Sequence, residues 1–142
     1  MWCDWMQALV DGTLLGTDGK PKRRLLIIAP PGSAKSTWVS QIMPSWYLGN
    51  HPNEKLLFFT ASDINANLFH RAVADTLDAN SKHAQVFPEA AARPDKERGW
   101  STDGIFLKGA TRNEKDPTYR AVSWDKRVPG VRAHGIILDD TM

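Results

Sequence analysis

Cysteine is nearly absent from this chain: Cys3 stands alone among 142 residues. A single thiol cannot close an internal disulfide, which excludes a disulfide-stapled scaffold and fits a reducing, intracellular setting. No activating motif accompanies Cys3, so it reads as incidental rather than nucleophilic. Long apolar runs are missing too. No stretch approaches the ~18–20 apolar residues of a membrane helix. Residues 1–10 include Asp4 and lack a basic region ahead of an apolar run, unlike a secretory signal. These absences predict a soluble, cytoplasmic protein with no membrane partner. Charge of one sign is scarce as well. The net charge of +2 neither demands nor forbids a nucleic-acid partner. Repeats and low-complexity tracts are absent. What remains is an ordinary globular balance, 42% hydrophobic and 24% charged, at a length that suits one domain with a real core.

The order of patterns along the chain predicts an α/β fold. Trp2, Trp5, Met6, Leu9 and Val10 fall at near-helical spacing, so a short helix is expected within residues 2–15. A Gly- and Asp-containing loop follows, ending in the basic group Lys20, Lys22, Arg23 and Arg24, which reads as solvated. The apolar run 25–29 sits directly before a Pro-Gly turn and suits a buried parallel strand. Residues 35–43 read as a helix that Pro44 ends. Residues 55–61 read as a second buried strand, and Ser62 or Asp63 can cap a helix over 64–77. Its buried face is expected to hold Ile64, Leu68, Val73 and Leu77, with Phe69 and Ala72. Residues 80–101, with Pro88 and Pro94, look like an irregular excursion. Short strands are predicted at 105–108, 119–124 and 135–138. Strands alternating with helices indicate a largely parallel sheet.

The segment with the most chemistry is residues 29–37, Ala-Pro-Pro-Gly-Ser-Ala-Lys-Ser-Thr. The phosphate-loop pattern is G-x-x-x-x-G-K-[ST]. Both glycine positions are alanine here, Ala29 and Ala34, and everything else is in register. The spacing serves a physical purpose. In the loop opened by Pro31, which has no N–H of its own, the backbone N–H groups of Gly32, Ser33 and Ala34 and of the helix opening at Lys35, Ser36 and Thr37 can converge on an anion, aided by the helix dipole. Lys35 brings a positive charge to the β- and γ-phosphates of ATP, and Ser36 a hydroxyl to Mg²⁺. Alanine meets the demand for small size but resists positive φ. Ala34 is therefore expected to avoid the left-handed region, with Gly32 taking the special conformation. The expected context is strand, loop, helix.

Hydrolysis also needs a carboxylate near the metal and a group to orient water. Residues 135–140, Gly-Ile-Ile-Leu-Asp-Asp, supply both. Asp139 would close a central strand at the end where open α/β sheets bind ligands, and is assigned to Mg²⁺ together with Ser36. Asp140 is the candidate catalytic base. Adjacent acids after an apolar strand also suit a plain strand-ending turn. The phosphate loop about a hundred residues upstream favours the functional reading. Arg132 reads as solvated and His134 as structural. Trp38, Trp46 and Trp124 sit in apolar contexts and are expected in the core rather than as stacking platforms for bases.

These segments resemble the ATPase centre of tailed-phage terminase large subunits. The run from Leu25 through Ser40, with its Pro-Pro-Gly-Ser-Ala-Lys-Ser-Thr octet, carries most of the resemblance. Residues 46–52, 57–62 and 128–140 add to it, so the similarity spans roughly residues 24–140. It implies a P-loop NTPase-type three-layer fold. Residues 1–24 would form a helix and loop leading in, and residues 25–142 the N-terminal part of the ATPase domain. It also implies ATP and Mg²⁺ as cofactors. By the same resemblance Lys35, Ser36 and Asp139 serve ATP–Mg²⁺ and Asp140 serves hydrolysis. The implied machine threads double-stranded DNA into a procapsid. Its partners would be a portal protein, a terminase small subunit and neighbouring copies in a ring, in the cytoplasm of a bacterial host.

Members of that family continue past the acidic pair with a coupling motif, further strands and a nuclease domain. The chain is accordingly expected to be incomplete at its C-terminus, to lack the nuclease domain and to cleave no DNA. Two alternatives remain. One is a non-catalytic or remnant nucleotide-binding fragment. The other is a different P-loop ATPase of helicase-like type. A kinase would need an acceptor-binding lid, for which no segment is evident.

Overall fold

The computed structural model describes residues 2–93, 100–101, 104–111, 115–128 and 130–140. Pro94 of the expected irregular excursion and Pro129 of the terminase-like stretch lie outside the described residues. The chain divides into two compact units, Met1–Ser33 and Ala34–Met142.

In the first unit, helix α1 spans Trp2–Val10 and buries Met6. It ends in a turn at Gly12, whose φ of +69° is one an L-side chain rarely adopts. A tight loop follows, closed by a bridge between Leu15 and Pro21 and by a Lys22 N–H bond to Leu14 O at 2.7 Å. Lys20, Lys22, Arg23 and Arg24 are all exposed, as expected for a solvated group. The predicted strand over 25–29 does not form. Leu26 and Ile28 are 83% and 87% exposed, and the segment pairs with no strand among the described residues. An apolar run expresses a preference for burial, but a strand also needs a neighbour with free backbone donors and acceptors.

The second unit is a mixed α/β body around an open sheet in the order β2-β3-β4-β1-β5. Its strands are β1 Leu56–Thr60, β2 Trp100–Ser101, β3 Gly104–Ile105, β4 Tyr119–Ser123 and β5 Gly135–Asp139. The long pairings are parallel: β1 runs beside β4 and β5, with Thr60 level with both Ser123 and Asp139. The β2 and β3 pairings are short and antiparallel. The strand expected over 105–108 is thus a two-residue strand followed by a bridge from Leu107 to Ala92.

Two helical elements cover one face of the sheet. Helix α3, Asp63–Leu77, starts where Ser62 is extended and its Oγ accepts the Asn65 N–H at 3.2 Å. Its buried face is Ala66, Phe69, Val73, Ala74 and Leu77. Ile64 and Leu68, expected inside, are 80% and 57% exposed. The four-residue spacing of Phe69, Val73 and Leu77 sets the buried stripe, and Ile64 and Leu68 lie well round the helix from it. Phe69 meets Phe58 edge-on with ring centroids 5.2 Å apart. Leu56, Phe58, Tyr119 and Ile137 share that face and are buried; Leu56, Phe58 and Ile137 are worth roughly 1.5–3 kcal/mol each.

The other covering element begins at Lys35. It runs as a π-helical segment, Thr37–Ile42, into helix α2, Met43–Asn50. Pro44 was expected to stop it and does not. The Met43 N–H reaches back five residues to Trp38 O, so the helix is widened just where the proline ring would press on the Ser40 carbonyl. The proline then occupies the first turn of α2 without a clash.

Residues 80–93 are more regular than expected. Helix α4, Lys82–Val86, is capped by Ser81, and a 3-10 turn follows at Pro88–Ala90. On the opposite sheet face Ile136 and Leu138 stand open at 61% and 57%, so among the described residues no further layer covers β5. Trp38 and Trp124 are also exposed rather than in the core. No helix of the described residues is long and apolar enough to cross a membrane.

Candidate nucleotide site

Parallel pairing brings the C-terminal ends of β4, β1 and β5 level, so Ser123, Thr60 and Asp139 form a row on the helix-covered face. All three are buried. At the β4 end, Ser123 Oγ donates to Asp63 Oδ1 at 2.5 Å, and Lys126 pairs with the same oxygen at 2.9 Å. These bonds hold the Asp63 carboxyl below its ordinary range, with Ser123 the larger cause and Lys126 the second. That end of the row is therefore committed to anchoring α3.

The β5 end is different. Asp139 is 5% exposed and points at the start of the long helix. Its Oδ2 accepts a hydrogen bond from Ser40 Oγ at 2.6 Å. Its Oδ1 faces Lys35 Nζ at 3.7 Å. Lys35 also lies 3.6 Å from Asp140 Oδ1, and the Asp140 side chain is open to solvent. Thr60 Oγ1, level with Asp139, is buried and has no hydrogen-bond partner among the described residues.

The backbone at this point is strained on both sides. Among the described residues the non-glycine positions with positive φ are Ala34, at +57°, and Asp140, at +44°. Ala34 immediately precedes Lys35, and Asp140 immediately follows Asp139. Ala34 therefore does adopt the left-handed conformation that its Cβ disfavours, contrary to expectation, at a cost of about 1–2 kcal/mol. Gly32 is left-handed too, at φ +80°. Such strain persists only where the surroundings over-determine it, and it concentrates at functional sites. Here it turns the chain so that Lys35 and Asp139, far apart in sequence, face each other.

The expected site residues fall as follows. Lys35, Asp139 and Asp140 come together. Ser36 and Thr37 lie at the opening of the helix, where backbone N–H groups lack helical partners. Pro31, Gly32 and Ser33 belong to the first unit, in a turn closed by a Ser33 N–H bond to Pro30 O at 3.3 Å. The Ser33 hydroxyl is buried without a partner among the described residues. The strand expected to lead into this loop is missing, so the strand–loop–helix context is met only in its second half. Arg132 is exposed, and His134 Nδ1 accepts the Lys55 N–H at 3.0 Å, a structural role.

No protein-family model, no curated protein and no solved structure matches this chain. The chemistry must therefore be read from the geometry. A buried carboxylate oxygen, an ammonium and a helix opening on one side of a strand end suit an anionic ligand carrying a divalent cation. Among the described residues no group of three or more His, Cys, Asp or Glu side chains is placed to hold a metal. A cation at Asp139 would complete its shell with phosphate oxygens and water, which is the habit of Mg²⁺.

Sequence reasoning missed Ser40 and Thr60. Ser40 carried a signal: it lies four residues after Ser36, about one turn along the same helix. Thr60 closes an apolar strand, where a lone hydroxyl gives no direction.

Proposed function

We propose that this chain is the ATP-binding segment of a DNA-packaging ATPase of terminase large-subunit type, on a P-loop NTPase-type fold. What supports the reading is the meeting of Lys35 with the Asp139–Asp140 pair, 3.7 and 3.6 Å away, at the C-terminal end of a parallel strand. The terminase-like octet around Lys35 names the class.

In this reading Lys35 Nζ leaves the acidic pair to bind the β- and γ-phosphates. The N–H groups of Lys35, Ser36 and Thr37 hold phosphate oxygens at the helix opening. Ser36 and Asp139 are the residues that would hold the cation. Mg²⁺, when bound there, would supply neutralisation of the phosphate charge. Asp140, free to turn on its exposed side, accepts a hydrogen bond from the attacking water through a carboxylate oxygen. Double-stranded DNA, a portal protein, a small terminase subunit and a ring of copies in the host cytoplasm belong to the proposal through the resemblance alone.

The test is binding of a fluorescent ATP analogue with Mg²⁺ to wild type and Lys35→Ala. A loss of affinity of about tenfold or more is expected, because one charged phosphate contact is worth some 1.5–3 kcal/mol. Equal affinity would remove the phosphate-loop reading.

A second reading, nucleotide binding without turnover, is favoured by residues 25–29, which form no strand ahead of the phosphate loop. Single-turnover hydrolysis with and without double-stranded DNA separates the two. DNA-stimulated phosphate release supports the motor. Stimulation by single-stranded DNA alone would favour a helicase-like ATPase.

A further inference from the structure

The two oxygens of Asp139 are in different situations. Oδ2 is bonded to Ser40 Oγ at 2.6 Å across 99 residues of chain, within the range of a charge-assisted O–H···O⁻ bond. Among the described residues Oδ1 faces only Lys35, at 3.7 Å, beyond hydrogen-bonding distance. Ser40 is fully buried and Asp139 nearly so, so this bond is shielded from competing water. Asp139 ends β5, and this bond restricts its χ angles. A bond to a rigid helix fixes the carboxylate plane.

We propose that Ser40 is a positioning residue: it ties down Oδ2 of Asp139 so that Oδ1 alone is presented to the divalent cation of a bound nucleotide. The assignment rests on the nucleotide-site reading above and extends it to a residue outside the phosphate-loop motif. The π-helical segment contributes to it. The widened turn of Thr37–Ile42 contains Ser40, and π-turns inside helices are frequent at functional sites. Thr60 does not share the task, since its hydroxyl makes no bond to the carboxylate.

The outer partner of a metal-binding carboxylate governs metal affinity more than nucleotide affinity, and losing it typically costs about 10–100-fold in metal binding. The experiment titrates Mn²⁺, followed by its paramagnetic resonance signal, into the protein saturated with a non-hydrolysable ATP analogue. Wild type, Ser40→Ala, Ser40→Thr and Lys35→Ala are compared. Affinity for the same analogue is measured separately in EDTA.

Ser40→Ala is expected to weaken Mn²⁺ binding by about 10–100-fold while metal-free analogue binding stays within about twofold. Ser40→Thr, which keeps the hydroxyl, should recover most of the Mn²⁺ affinity. Ser40→Cys is close in size and a weak donor. It serves as the loss variant if the alanine variant does not fold. Wild-type Mn²⁺ affinity in the loss variant, whether or not its melting temperature drops, would overturn the positioning role and make Ser40 a purely structural bond. Equal weakening of metal-free and metal-dependent binding would overturn it too. If wild type binds the analogue no better than Lys35→Ala, the nucleotide-site reading itself fails and Ser40 falls with it.

Discussion

Replacing Ala34 by glycine should make this protein more stable, although glycine substitutions usually do the opposite. Ala34 has φ +57°, where its Cβ crowds the following carbonyl at about 1–2 kcal/mol. Glycine removes that cost. It also loosens the unfolded chain, which returns about 0.4–1 kcal/mol. The Ala34 methyl is exposed, so little packing is lost with it. The balance is a stabilisation of about 0.5–1 kcal/mol. At this chain length that is about 2–3 °C in melting temperature. Thermal melts and urea unfolding of wild type and Ala34→Gly would measure it. Ala79→Gly is the control: an exposed turn alanine outside the positive-φ set, expected to lose about 0.4–1 kcal/mol. If Ala34→Gly is destabilised as much as Ala79→Gly, Ala34 is not left-handed. The argument that strain shapes this site is then refuted. The same variant restores one glycine of the standard loop pattern, so nucleotide affinity should be held or improved.

Asp140→Asn should leave nucleotide affinity within about threefold yet abolish hydrolysis, because the amide keeps the shape but loses the base; single-turnover phosphate release compared with analogue binding measures the split. Asp63→Asn should destabilise the protein at neutral pH and progressively less in acid. The Asp63 pKa is lowered from its ordinary 3.8, so its contribution is present in full above that value and is lost as pH falls through the lowered folded value. Urea midpoints of the two proteins should therefore converge as pH falls below the ordinary 3.8, and a constant gap would refute the linkage. Phe58→Ala should cost about 3–5 kcal/mol in urea unfolding, because Phe58 is fully buried against Phe69 and truncation leaves a cavity between sheet and α3.

Several elements were legible because their determinants are local. Ser62 before an apolar-periodic stretch announced the start of α3, and its Oγ makes the capping bond. The β-branched and aromatic runs at β1, β4 and β5 were read as strands within a residue or two, and Asp139 was placed at a strand end. Other elements were misread because their determinants are not local. Pro44 looked like a helix stop, but a π-turn upstream absorbs it. Ile64 and Leu68 looked buried because both faces of α3 carry apolar residues. Which face turns inward was settled by Phe69 packing on Phe58. Residues 25–29 had the composition of a buried strand and lacked a pairing partner.

The chain's sequence by itself determined the chemistry available: a lysine behind a tight turn at the opening of a helix, and two carboxylates at the end of an apolar strand. It determined these because residue type, spacing and capping act over a few positions, within reach of pattern reasoning. Only the tertiary structure decided that Lys35 meets Asp139 and Asp140, that Ala34 and Asp140 take left-handed backbone, and that Ser40 holds one oxygen of Asp139. The physical reason is that side-chain geometry at 2.6–3.7 Å depends on sheet register and helix phase. Both are set by packing between residues far apart along the chain.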